Sequence, residues 1–230
     1  MKRSIVFLVA LLMAMPLFAQ EENPDISKEV RSISNFAKLK VTKGINVTLT
    51  QGEEPEAEIN IVNALPSDVI IENDKNELVI KMKTRLYKNV SVQVYLTYND
   101  LREIKTGSGA SIDNEGVLTG SHLLLDAGMD SSMDLKVDVE TMEADVSAAR
   151  ITLEGYTQTL EAKATTGGKL EGQKLESQEA FVTANTGGVA SVNVTQKLEA
   201  KAGTGGRVEY SGSPGSVDQR ETLGGSVEEL

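Results

Sequence analysis

The chain has 230 residues, 20 of them Gly and 5 Pro, and 40% are hydrophobic, which suits one folded unit of roughly 200 residues or two small ones and excludes a disordered chain. Its formal net charge of −11 argues against nucleic-acid or anionic-membrane binding, because an acidic body repels phosphate. With no Cys, the chain can form no disulfide, and stability must come from burial and backbone pairing.

Residues 1–19 read as a secretory signal peptide: Lys2-Arg3 is a basic start, Ile5 to Phe18 an apolar run, and Ala19 a small residue at the expected cleavage point. The run is short for a membrane span, which takes about 20 apolar residues. Removing it takes away two bases and no acid, so the net charge moves from −11 to −13. An exported, soluble chain is expected, in the periplasm or at the cell surface. No Cys stands at the cleavage point, so no lipid anchor is expected. Residues 20–35 are polar and charged and read as a linker.

From Phe36 the pattern turns to period two. Leu39 and Val41 alternate with Lys38 and Lys40, and Ile45, Val47 and Leu49 alternate with Asn46, Thr48 and Thr50. Further runs at Glu58–Val62, Asp68–Glu72, Glu77–Met82 and Val90–Tyr98 are separated by turn formers such as Gln51-Gly52 and Asn73 to Asn76. Runs of this kind are strands, and no sustained 3.6-residue stripe predicts a helix. Within the last run, Tyr95 and Tyr98 differ in parity and face opposite sides; Tyr95 is expected in the core.

A Gly-centred turn then recurs: Gly107-Ser108-Gly109, Gly167-Gly168, Gly187-Gly188, Gly205-Gly206 and Gly224-Gly225, the last four spaced by 20, 18 and 19 residues. Between these turns Leu160 to Ala164, Ala180 to Ala184 and Leu198 to Ala202 align, with small apolar residues alternating with mostly polar ones. A fixed period of this length predicts a solenoid, in which each winding buries its apolar face on the next. Glycine suits the corners because a residue there must take φ > 0. The alternative is an antiparallel β-sandwich with evenly spaced hairpins. Residues 213–230 read as a C-terminal capping repeat, in which Pro214 interrupts the pattern and Asp218, Arg220 and Glu221 stand where earlier repeats carry Ala. Strand edges at the ends of such a coil offer a route to self-association.

The segment Lys43-Gly44-Ile45-Asn46-Val47-Thr48-Leu49-Thr50-Gln51-Gly52 resembles the signature of the head GIN domain family, DUF2807. Phe36 to Leu39 stands where that family opens with Phe-x-x-Leu. Leu101 to Ala110 and the Thr-Gly-Gly corners at Thr166, Thr186 and Thr204 match as well, so the likeness spans 36–212. It implies an exported, all-β, right-handed β-helix-like protein of a kind frequent in the Bacteroidetes and labelled an auto-transporter adhesin. No catalytic or binding residue is defined for the family. No translocating barrel is expected between the last repeat and Leu230.

Chemistry-bearing residues are sparse. His122 is the sole histidine, and no Gly-x-Ser-x-Gly accompanies it for a Ser-His-Asp site. Asp126, Asp130, Asp134 and Asp138 recur every four residues and are the candidate calcium ligands, although the Gly-Gly-x-Gly-x-Asp nonapeptide of calcium β-rolls is missing. Asp126 with Asp130, or Glu154 with Glu171, are the carboxylate pairs a β-helix carbohydrate-active enzyme would need. The uninterrupted repeats and the absence of Trp oppose that reading. The expected function is non-enzymatic: binding or scaffolding, with no cofactor. The partner would be an extracellular or envelope protein or glycan, met along the outward face bearing Glu161, Lys163, Thr183, Glu199 and Lys201. A self-assembling envelope protein is a third reading.

Overall fold

The computed structural model describes residues 26–230; the segment read as a signal peptide and its expected cleavage point lie outside them. The first half comprises β1 (Ile26–Ser32), β2 (Lys38–Val41), β3 (Asn46–Gln51), β4 (Glu56–Val62), β5 (Val69–Asp74), β6 (Glu77–Met82), β7 (Ser91–Tyr98), β8 (Glu103–Thr106) and β9 (Ser111–Asn114). The second half follows as β10 (Leu118–Gly128), β11 (Ser132–Ser147), β12 (Arg150–Thr165), β13 (Lys169–Asn185), β14 (Val189–Gly203), β15 (Arg207–Gly212), β16 (Ser216–Glu221) and β17 (Ser226–Glu229). All join one hydrogen-bonded sheet wound into a β-solenoid of about seven turns.

Pairing in the body is parallel, which no hairpin sandwich allows. Following one buried column, Met133 lies beside Ile151, then Leu170, Ala190, Val208 and Val227, at steps of 18, 19, 20, 18 and 19 residues. Between tight corners β11 to β14 each run as one strand of 15 to 17 residues with a bend partway along. At that bend Thr157 and Ser177 are fully buried. Their hydroxyls donate to the carbonyls of Glu140 and Asn193, at 3.3 and 2.8 Å, and so satisfy backbone groups that the bend frees.

The other corner is tight. In Thr165–Gly168 the amide of Gly168 donates to the carbonyl of Thr165 at 2.8 Å, with Thr166 and Gly167 at φ of 53° and 73°. Both central residues being left-handed makes this a type I′ turn. So the first glycine of each pair, together with the residue before it, takes the positive φ; the second does not. Corners stack in a column: the amides of Gly44, Gly109, Gly167, Gly187 and Gly205 donate to the carbonyls of Ser108, Met129, Thr186, Thr204 and Leu223.

The ends are built differently. After β3 the chain turns back, and β6 and β7 form a winding on the outer side of β2 and β3, while β8 and β9 pair on the inner side. β5, β4 and β1 then add antiparallel strands to that end. β1 falls in the segment read from sequence as a linker: Ile26–Ser32 pairs along its length with β4. At the other end the reading of Asp218 and Arg220 needs correcting. They align with the outward Glu199 and Lys201, and the residues continuing the inward columns are Val217, Gln219 and Glu221. Tyr95 is also corrected: it is 44% exposed, and Tyr98 is the buried one at 3%. The parity argument holds, but the assignment of sides was reversed because Val92, Val94 and Leu96, not Tyr95, carry the core face.

One inward column runs Leu78, Leu39, Ile104, Leu125, then Ala144, Ala162, Val182 and Ala200. In this column large side chains fill the first windings and mostly small ones the last.

Candidate functional site on the outer sheet face

The outward residues of the pre-corner strands form columns, because parallel in-register windings place equivalent side chains about 4.8 Å apart. In one column Glu161, Phe181 and Glu199 follow each other; in the next, Lys163, Thr183 and Lys201. The structure thus brings together all five residues read from sequence as a binding face: they line one shallow recess of about 240 Å³ across β12, β13 and β14. Within it β13 interrupts both charged columns with the uncharged Phe181 and Thr183.

Phe181 was not among the expected contacts. Its signal was present: it stands where both neighbouring repeats carry Glu, an apolar break in an outward charged column. Lys197 Nζ lies 5.3 Å from the centre of the Phe181 ring and 2.7 Å from Glu199 Oε1, so it couples the aromatic to the acid beside it. The hydrogen bond from Lys197 holds the Glu199 carboxyl below its ordinary range, and the same contact raises Lys197. On the other rim Lys163 Nζ is 3.1 Å from Glu161 Oε1 and 3.9 Å from Asp145 Oδ1, and its pKa is raised, chiefly by the Glu161 hydrogen bond. Asp145 is raised, first by partial burial and then by neighbouring Asp126, Glu143 and Glu161, against the lowering pull of Lys163.

This arrangement presents two Glu–Lys rims around an aromatic floor. It offers donors and acceptors to a polar ligand, and no nucleophile or paired acid and base. The other expected residues are dispersed. Asp126 points outward before a corner, Asp130 sits on that corner at φ 60°, and Asp134 follows it on the next face. Among the described residues no three His, Cys, Asp or Glu side chains are grouped to hold a metal. Glu154 lies beside Lys174, whereas Glu171 lies beside Thr152 and is ion-paired to Arg150, so the two carboxylates do not face each other. His122 is half-buried, its Nδ1 3.0 Å from Thr141 Oγ1. The eight corner glycines 107, 109, 167, 168, 187, 188, 205 and 206 all lie on the tight-corner column.

The profile of the family described as "Putative auto-transporter adhesin, head GIN domain" matches residues 35–214. The chain belongs to this family. No curated protein matches it. Among solved structures it is similar to a putative adhesin from Bacteroides fragilis NCTC 9343, with 16% identity and a TM-score of 0.80 over 90% of this chain and 97% of that one. A putative adhesin from Parabacteroides merdae ATCC 43184 shares 21% identity at a TM-score of 0.72, covering 89% and 96% of the two chains. A structure from Parabacteroides distasonis ATCC 8503, named a putative lipid binding protein, gives 14% and 0.64 over 91% and 98%. At these identities the likeness carries the fold. No helix among the described residues is long and apolar enough to cross a membrane.

Proposed function

We propose that this head GIN domain protein is an exported, non-enzymatic binding protein whose β12–β14 outer face engages an extended polar partner, a surface glycan or protein segment. One observation carries the reading: residues from three successive windings converge on a recess whose floor is Phe181 and whose rims are Glu–Lys pairs. An aromatic flanked by fixed charges suits ligands with both an apolar face and polar edges. The adhesin label of the family is consistent with this mode. The flat, stacked geometry favours many weak contacts repeated along the axis over one deep pocket.

The test is an array of glycans and matrix proteins probed with the mature chain, then repeated with Phe181→Ser and Lys201→Glu. Saturable binding to a member of the array, weakened by about tenfold or more in each variant with melting temperature retained, is the expected result. Binding that survives both substitutions would move the contact off this face.

A further inference from the structure

Every corner on the tight side of the coil closes in two to four residues except one. Between β6 and β7 the chain takes eight, Lys83 to Val90, and the surplus arches over the first corner at Lys43-Gly44. Under the arch lies a recess of about 360 Å³, floored by Met82, Val90 and Val92 and walled by Lys43, Lys83 and Tyr87. A mostly apolar hollow of this size with a few convergent polar groups has the anatomy of a small-molecule site.

Its charge runs against that of the whole chain. Residues 81–90 contain Lys81, Lys83, Arg85 and Lys88 and no acid, in a protein of net charge −11. Two of these cations are already matched: Lys81 by Glu72 at 2.8 Å, and Arg85 by the buried Asp68 at 2.5 Å. Asp68 thereby anchors the arch, and Arg85 in turn lies 5.0 Å over the Tyr87 ring. Lys43 and Lys83 have no carboxylate partner among the described residues. Lys43 Nζ donates to Met82 O at 3.1 Å and Thr84 Oγ1 at 2.7 Å, which leaves one of its three N–H groups unused. The Tyr87 hydroxyl is buried with no hydrogen-bond partner. Covered from solvent, that group costs stability and lies out of reach of the recess, so Tyr87 offers the recess its ring alone.

We infer that the arch over Lys43-Gly44 is a binding site for a small amphiphilic carboxylate, with the acid group held by Lys43 and Lys83 and the apolar body on Met82, Val90, Val92 and the Tyr87 ring. The site is on the far side of several windings from the β12–β14 face, so it stands independently of the function proposed above.

Calorimetric titration of the mature chain at low salt compares sodium octanoate, inorganic phosphate and octyltrimethylammonium. Octanoate binds saturably and more tightly than phosphate, and the ammonium does not bind. Lys43→Met and Lys83→Met each weaken octanoate about fivefold, the size of one net hydrogen bond, whereas Tyr87→Phe, which keeps the ring, leaves it unchanged. Without ligand, Tyr87→Phe melts no lower than the parent, because it removes an unpaired group; Lys163→Met, on the other face, leaves octanoate binding unchanged. The inference fails if octanoate gives no saturable heat, if phosphate or the ammonium binds as tightly, or if the Lys43 and Lys83 variants bind as the parent does.

Discussion

Gly187 and Gly188 are neighbours with different duties. Gly187 holds φ at 72° with open space where a Cβ would project, so Gly187→Ala costs the left-handed strain alone, roughly 1–2 kcal/mol. At Gly188 a Cβ would sit 2.2 Å from the carbonyl oxygen of Ala164 on an adjacent winding, and backbone cannot yield as a side-chain end can. Gly188→Ala is expected to lower the urea midpoint at least twice as far as Gly187→Ala; equal losses would refute the close-approach account. The sequence made the corner legible but not this division, since it carries no interatomic distance. Asp145 offers a second test. Its folded pKa is raised, so the fold is favoured by the protonated form, and that contribution disappears as pH rises through the titration. Asp145→Asn, which stays neutral, is therefore expected to melt above the parent at pH 7, with the gap closing as pH falls below the ordinary carboxylate range. Asp145 is 59% exposed, so solvent keeps the gap small.

Among elements, the last winding is the informative one. β16 and β17 present unpaired backbone at the end of a parallel coil, an edge that invites another chain. The inward columns end there in Gln219 and Glu221 instead of Ala, and Glu221 Oε1 accepts the Val227 amide at 2.7 Å, tying β16 to β17 across the end. Inward polar groups make further stacking costly, which speaks against end-to-end assembly. Restoring the columns with Gln219→Val and Glu221→Ala is expected to produce concentration-dependent association in sedimentation velocity; a variant that sediments like the parent would show that these residues are not the barrier. A polar terminal repeat is readable from Pro214 onward, and Glu221 does stand in an Ala column, but Asp218 and Arg220 turn outward, which only the register with β14 decides. The strand at Ile26–Ser32 escaped notice for a related reason. An edge strand with one partner keeps its polar residues, and ISKEVRS has little alternation to betray it.

At the scale of the molecule, period and corner chemistry made the coil legible from Leu101 onward, where each winding repeats its predecessor. They could not reveal that residues 52–100 fold back to cover the first winding, since that return pairs β6 with β2 and β7 with β3 across tens of residues without any repeat to mark it. The outward recess was half legible: its five polar residues followed from aligned repeats, whereas Phe181 and Lys197 emerged only when register set them side by side. The pocket under Lys83 to Val90 was invisible because it depends on the same long return.

In-register stacking at 18 to 20 residues has a metric consequence. The interval between the arch and the β12–β14 recess is counted in whole coils, each adding about 4.8 Å. Duplicating or excising one coil would slide these two surfaces apart or together by that fixed increment while leaving the chemistry of each intact, which makes the scaffold a ruler with molecular graduations.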